Sequence, residues 1–524
     1  MKNISILFSD RVHFHEKNFR SLFLFIKKHN IKHTFIDGRN EWVAAYGDYH
    51  AYEEKLSLYT RILRTMSRQE LLSVNTNGIN LFDACRDEAL TYYLPIPDFR
   101  KKILSCPARQ ELMQIMLETD YSALILNMSA AWSWCDFWKE TLAGITNHTW
   151  VMIFSGAQIY NRTLLETLKT HPSTPLLIEH FFTGNEYYLE EKYEPIPNNS
   201  NLRYANYYNS LISDESDFEL NRLRIKAINK IILSRNKNVK QPDFAERLPS
   251  NGHNVITIIG QVVNDFSVIC TATNYLSTTG FYTELLERLL NETDCFIVFK
   301  AHPWERHKNN INSALTYNEL NEYVLGLPVE LQERIYLTED FNLHELMKQS
   351  THILTLCSQS ALEAAFAGLK PVQFGNAFYG GRTFTYDFEN ISDFIHEYNA
   401  GELCPYLTLD EYDNFEMFLV RMLEKNLISV FNSGVLSLEK KLFLIPSIPL
   451  ATPERLATHV TADLTSSSPK ISPVVQVIKS KEPHSESPLR VLCSKKLAKF
   501  RRDPKKFLID SKYRILNIIG NAMY

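Results

Sequence analysis

The stretch LCSQSALEAAFAGLKPVQFGNAFYGG, Leu356–Gly381, reads as the end of a strand, a short polar turn, a helix, a glycine stop and a second strand. An apolar run, HILTLC, leads into it. In an open α/β sheet this order aims the amides of the new helix, here with the hydroxyls of Ser358 and Ser360, at whatever binds past the carboxyl end of the strand. Gly368 fits the stop, because the left-handed position after a helix costs glycine nothing. Upstream, NVITIIGQ, CFIVFK and RIYLTE are further apolar runs of strand length separated by helix-compatible segments. Such alternation predicts a parallel sheet with helices on both faces, running from about residue 252.

The first half of the chain repeats this grammar. ISILFS reads as a strand, NFRSLFLFIKKHN has helical spacing and HTFID reads as a second strand. After a mainly helical region, ALILNMS, TWVMIFS and PLLIEHF are each expected as buried strands, with Glu179 ending the last clear strand of that half. The fold expected is α/β and GT-B-like, with two Rossmann-type domains facing a cleft and a basic amphipathic C-terminal tail. The acceptor-side domain is expected over 1–194, a polar connection over 195–251 and the nucleotide-sugar domain over 252–463. A Ser, Pro and Lys mixture over 464–490 cannot bury enough apolar surface to order itself and is expected as a tether. It leads to 491–524, where Lys495 to Ile515 carries nine Lys or Arg against two Asp. Leu508, Ile515 and Ile519 fall on one helical face there, so this tail is expected to rest on anionic lipid.

Composition excludes several classes. The 524 residues exceed what a single core supports. A net charge of −4 argues against a general nucleic-acid binder, which would need phosphate-neutralising surface. Eight scattered cysteines without a CxxC pair suit reduced thiols. No window approaches the roughly 20 apolar residues of a membrane span, and MKNISILFSD lacks the pattern of a signal peptide. A protein made and kept in the cytoplasm is expected. The chain has no DxD, and His13 with His15 are too few ligands for a metal, so no metal cofactor is expected.

Chemistry concentrates in four places. Gln261 and Asp265 follow the first strand of the second half; Asp265 either caps the next helix or lies under the donor sugar, where a carboxylate can trap an oxocarbenium-like carbon. Lys300, His302 and Pro303 follow an apolar strand, and proline blocks helical continuation, which leaves His302 and Lys300 available to a leaving phosphate. Ser358 and Ser360 open a helix with Glu363 one turn inside, where it either meets ribose hydroxyls or faces solvent, and Gly375 permits close backbone approach to a nucleotide. Glu179 would face Asp265 across the cleft and supply the acid and base of glycosyl transfer.

These segments, in this order, resemble the Kdo transferases of bacterial capsule and O-antigen assembly, the capsule polysaccharide biosynthesis group: an early Glu, then QxxxD, HP, a serine-rich turn, GKPV and FGxPFYxG. The tail KLAKFRRDPKKFLIDSK is similar to the KLxKLxRDPxxFFxDSK ending of membrane-associated capsule glycosyltransferases. The sequence departs at GLKPV, at NAFYGGR and at EHF, where no EDG follows Glu179. The resemblance implies transfer of Kdo from CMP-β-Kdo onto a capsule or lipopolysaccharide glycan or glycolipid with retention, Asp265 as nucleophile, Glu179 as base, and capsule assembly proteins as partners. A CMP-sialic acid dependent sialyl- or polysialyltransferase and a non-catalytic scaffold of a capsule assembly complex are the competing readings.

Overall fold

Two six-stranded sheets carry the chain, and the burial of their central strands on both faces explains the layers around them. The structure, a computed structural model, describes residues 4–36, 45–103, 106–144, 149–233, 242–307 and 311–444. The tether over 464–490 and the basic tail over 491–524 lie outside the described residues.

The first sheet holds β1 (Ser5–Phe8), β2 (Lys32–Phe35), β3 (Thr149–Phe154), β4 (Thr174–His180) and β5 (Glu186–Glu191). Strands β2, β1, β3 and β4 lie side by side in parallel. Ile6, Phe8, Met152, Leu176 and Ile178 pack on one face, under Phe19, Leu22 and Phe25 of the Glu16–Lys28 helix. Leu7, Val151, Ile153 and Leu177 point to the other. Side chains alternate along a strand, so apolar residues at both parities require helices on both faces. Two expectations fail here. ALILNMS is not a strand but part of a helix, Tyr121–Ala143, capped by the Asp120 carboxylate accepting from the Ala123 amide at 2.9 Å. A short apolar run has no period to separate strand from buried helix. The cap and the continuing AAWSWCDFW settle it, burying residues on every face of the helix. Nor is β4 the last strand: β5 returns antiparallel to it, with Glu179 opposite Tyr188.

The second sheet is wholly parallel: β6 (Val255–Ile259), β7 (Phe296–Lys300), β8 (Ile335–Thr338), β9 (His352–Thr355), β10 (Val372–Gln373) and β11 (Tyr386–Asp387). Its spatial order is β8-β7-β6-β9-β10-β11. In chain order that is 3-2-1-4-5-6, the doubly wound arrangement, whose topological switch point lies between β6 and β9. The architecture is GT-B-like, as expected.

The chain then crosses back. Strand β12 (Ile428–Ser429) pairs antiparallel with β5, and the Gly434–Glu439 helix packs on Glu16–Lys28. A Cβ on Gly434 would lie 2.0 Å from the Ser429 carbonyl oxygen, so only glycine allows this return. Residues 428–444 thus belong with the first sheet, not with the rest of the 252–463 segment. A buried network holds the crossing: Glu190 accepts from the Ser200 hydroxyl at 2.6 Å, the Asn201 amide at 2.7 Å and Asn426 Nδ2 at 3.0 Å. Each of those groups, if left unpaired, would cost about 1–3 kcal/mol.

Candidate active site

Gln261 and Asp265 lie just past the carboxyl end of β6, at the switch point. The Gln261 amide group spans it: its Oε1 accepts from the Cys357 amide, past β9, at 2.8 Å, while its Nε2 lies 3.4 Å from Asp265 Oδ2. The capping reading of Asp265 is realised. Its Oδ1 caps the Phe266–Ile269 helix by accepting from the Ser267 amide at 2.9 Å, and Oδ2 is the oxygen turned to Gln261. The cap fixes the carboxylate's direction, which leaves one oxygen for chemistry.

His302 and Pro303 follow β7. The Trp304 amide donates to His302 Nδ1 at 3.2 Å, which assigns that nitrogen as an acceptor and leaves Nε2 to carry the ring proton. Glu305 locks this turn to the switch point by accepting from the Val263 amide at 2.9 Å and the Thr316 amide at 2.8 Å. Lys300 is not brought to the site. It is buried, and its ammonium donates to the main-chain oxygens of Glu339 and, at 3.4 Å, Ala301. Burial pulls it down to about 8 against the pull of Asp340 and Glu339.

On the β9 side, the Ser358 hydroxyl accepts from the Ser360 amide at 3.2 Å, and the Tyr379 hydroxyl donates to the Ser358 carbonyl at 2.7 Å. Ser360–Phe366 is helical, as expected. Burial alone pushes the Glu363 carboxyl up to about 7. Gly375 does need to be glycine, because of the Leu356 backbone. A Cβ there would sit 2.7 Å from the Leu356 carbonyl carbon, so it lets the loops after β9 and β10 close on each other.

Glu179, near the end of β4, faces this array from the first sheet. Burial pushes its carboxyl up to about 7; the Ser155 hydroxyl, the His180 amide at 3.1 Å and the charge of His13 oppose the rise, and the charge of Asp265 adds to it. The two carboxylates expected to cooperate therefore feel each other across the cleft.

The structure also brings in residues that sequence reading left aside. Ser155 sits past the end of β3 at φ +61°, a left-handed conformation that costs a non-glycine residue of order 1–3 kcal/mol. Tyr46 feels the charges of Glu88 and Glu179. Glu88, buried in the Leu81–Tyr93 helix, holds the Tyr46 loop by accepting from the Gly47 amide at 3.1 Å, the Tyr49 hydroxyl at 3.2 Å and the Ile159 amide. From the connection, Arg203 donates to the Asn376 carbonyl at 2.8 Å, and its charge reaches Cys357. Only a Ser-Gly pair after a strand, at Ser155 and Gly156, was a local cue to any of these. Among the described residues no group of three or more His, Cys, Asp or Glu is placed to hold a metal ion. No described helix is long and apolar enough to cross a membrane.

Residues 182–403 match the family described as capsule polysaccharide biosynthesis protein, the family that the motifs resembled. The matched span takes in Gln261, Asp265, His302 and the whole serine turn. Among solved structures, the beta Kdo 2,4 transferase of Thermosulfurimonas dismutans KpsC is 18% identical at a TM-score of 0.34, over 52% of this chain and 79% of its own. The beta Kdo 2,7 transferase of the same KpsC is 16% identical at 0.34, over 58% and 88%. The α,α-trehalose 6-phosphate synthase of Burkholderia multivorans is 11% identical at 0.33, over 81% and 94%. No curated protein matches the chain. Strand order, rather than these superpositions, carries the fold.

Proposed function

We propose that this chain, a member of the capsule polysaccharide biosynthesis family through residues 182–403, transfers Kdo from CMP-β-Kdo to a capsule or lipopolysaccharide glycan or glycolipid with retention of configuration. The supporting observation is the placement of two unlike carboxylates at strand ends of the two sheets, Asp265 past β6 and Glu179 near the end of β4. Asp265 is fixed by its own cap and by Gln261 on the donor side. Glu179 is pushed by burial up to about 7, where a group can accept and return a proton near neutral pH.

In this reading Asp265 attacks the anomeric carbon as the bond to the CMP phosphate breaks. The leaving phosphate is met by the Nε2–H of His302 and by the turn at Ser358 and Ser360, with Glu363 on the ribose and Gly375 keeping the loops closed. An acceptor hydroxyl then attacks the same carbon, gives its proton to Glu179 and releases Asp265. Two inversions give net retention, which is why a nucleophilic carboxylate is required. No step calls for a metal. The tail over 491–524 would hold the enzyme on anionic lipid at the cytoplasmic face of the inner membrane, near lipid-linked acceptors and capsule assembly proteins.

The test is incubation with CMP-Kdo generated in situ and a panel of capsule-primer and O-antigen acceptors, read by mass spectrometry. Donor alone should leave a Kdo adduct on Asp265. Turnover with CMP-sialic acid instead would make the protein a sialyltransferase, and no donor-dependent release of CMP with either donor would make it a scaffold.

A further inference from the structure

Residues 198–203, in the connection, join the two sides of the switch point. Asn198 Nδ2 donates to Thr271 Oγ1 at 2.7 Å, and Asn198 Oδ1 accepts from the Phe378 amide at 3.0 Å. Thr271 follows the Phe266–Ile269 helix, and its hydroxyl donates at 2.7 Å to the carbonyl of Ser267, the residue whose amide Asp265 caps. Phe378 belongs to the loop after β10. That loop is fastened to the serine turn by the Gly375 amide donating to the Leu356 carbonyl at 2.8 Å and by the Tyr379 hydroxyl on the Ser358 carbonyl at 2.7 Å. Arg203 is anchored on the same loop: its Nη2 donates to the Asn376 carbonyl at 2.8 Å and its Nη1 to Asn199 Oδ1 at 3.4 Å. Among the described residues nothing forms an ion pair with Arg203, and nothing accepts from its Nε–H or from the second hydrogen of either Nη. Its side chain is half-buried, so a ligand can reach it. Burial pulls the guanidinium below the ordinary arginine range, opposed by the charges of Tyr204, Glu194 and Cys357.

We propose that Arg203 takes the carboxylate of the donor sugar and so selects acidic sugars. This rests on the glycosyl-transfer reading and adds a contact that the reading leaves open. Kdo and sialic acid both carry a carboxylate on the anomeric carbon, the carbon that Asp265 would attack. Two like charges brought to one carbon repel each other, so the site needs a cation for the sugar besides the groups that meet the phosphate. The cations after β7 are already engaged. Lys300 donates to the main-chain oxygens of Glu339 and Ala301, and Arg306 is paired with the Glu339 carboxylate. Arg203 comes instead from the connection, between the helix that Asp265 caps and the loop over the serine turn. Its open N–H groups lie in one plane and match both oxygens of a carboxylate at once, which a lysine cannot do. A neutral sugar would leave that desolvated fork unmatched, and this is where the selection arises.

The deciding experiment displaces labelled CMP from the full chain with unlabelled CMP and with freshly prepared CMP-Kdo, in the Asp265→Ala background, which holds the donor unreacted. Arg203→Gln should weaken CMP-Kdo about tenfold or more and leave CMP within about twofold, because CMP lacks the carboxylate. Arg203→Lys, which keeps the charge and loses the fork, should fall between. Equal losses for CMP and CMP-Kdo would put Arg203 on the phosphate, or in the hold on Asn376 alone, and overturn the proposal. An Arg203→Gln protein that binds both ligands as before overturns it too. With Asp265 intact, Arg203→Gln should raise KM for CMP-Kdo by a similar factor while the inhibition constant of CMP holds, and an unmoved KM counts against the contact. If the protein binds CMP-Kdo but transfers nothing, the proposed function falls and the displacement still decides the role of Arg203. No displacement by CMP-Kdo at all removes both.

Discussion

The two walls of the cleft are built in opposite ways. On the second sheet the candidate residues lie within short contiguous segments that each follow a strand: Gln261 and Asp265 after β6, His302 after β7, Ser358 to Glu363 after β9. On the first sheet the groups that act on Glu179 or hold its neighbours come from distant stretches of chain: Ser155 bonds to it, Tyr46 feels its charge, and Glu88 fastens the Tyr46 loop by reaching Gly47 and Ile159. Nucleotide phosphate is a fixed shape that a strand-turn-helix can meet with one local motif. An acceptor has no such standard grip, and the wall that would take it is assembled by tertiary contact.

The largest expected effect separates the walls by chemistry. Asp265→Ala should lower transfer by on the order of a thousandfold or more while CMP affinity, measured by calorimetry, holds, because it deletes the bond-making carboxylate and no donor contact, with about 1 kcal/mol of stability lost with the helix cap. Activity within about tenfold of wild type would reduce Asp265 to its cap on Ser267.

Glu179→Gln should lower transfer by about 10²–10⁴-fold and remove the rising limb of the pH–rate profile near pH 7, since the base must be ionised. Its stability effect has a definite sign. The folded carboxyl titrates at about 7, above the 4.5 of an ordinary glutamate, so between those values the folded state holds more protons and stability falls as pH rises. Glu88 and Glu363 act in the same direction, so denaturant melts of Glu179→Gln should show a shallower decline from pH 4.5 to 7 without abolishing it. A decline as steep as wild type would place Glu179 in a polar, wetter setting.

On the donor wall, His302→Ala should weaken CMP binding by about 1.5–3 kcal/mol, roughly ten- to a hundredfold, as one hydrogen bond to a charged phosphate is lost. Lys300→Met should leave CMP affinity within about twofold, because its ammonium already serves the Glu339 and Ala301 carbonyls. A Lys300 effect equal to that of His302 would mean the two share the phosphate. Smallest of all, a chelator should leave the transfer rate unchanged; loss of activity restored by a divalent cation would break the metal-free reading.

Sequence by itself determined the βα order of the second sheet, most strands of the first, and the position of Gln261, Asp265, His302 and Ser358 just past strand ends. There apolar runs of strand length end in Gly, Pro or Ser at fixed offsets, and a motif's own spacing sets its geometry. It misplaced ALILNMS, because a fully buried helix and a fully buried strand are equally apolar, and the Asp120 cap that separates them is a single residue. Only the tertiary structure decided which side of a strand end each nitrogen-bearing side chain takes: Lys300 turned to β8, His302 held beside Val263 through Glu305. It alone joined Asp10 to Tyr160, and it alone carried β12 back to the first sheet. Those contacts join residues tens to hundreds of positions apart, and no local period or spacing encodes a pairing whose partners meet only once both sheets have formed.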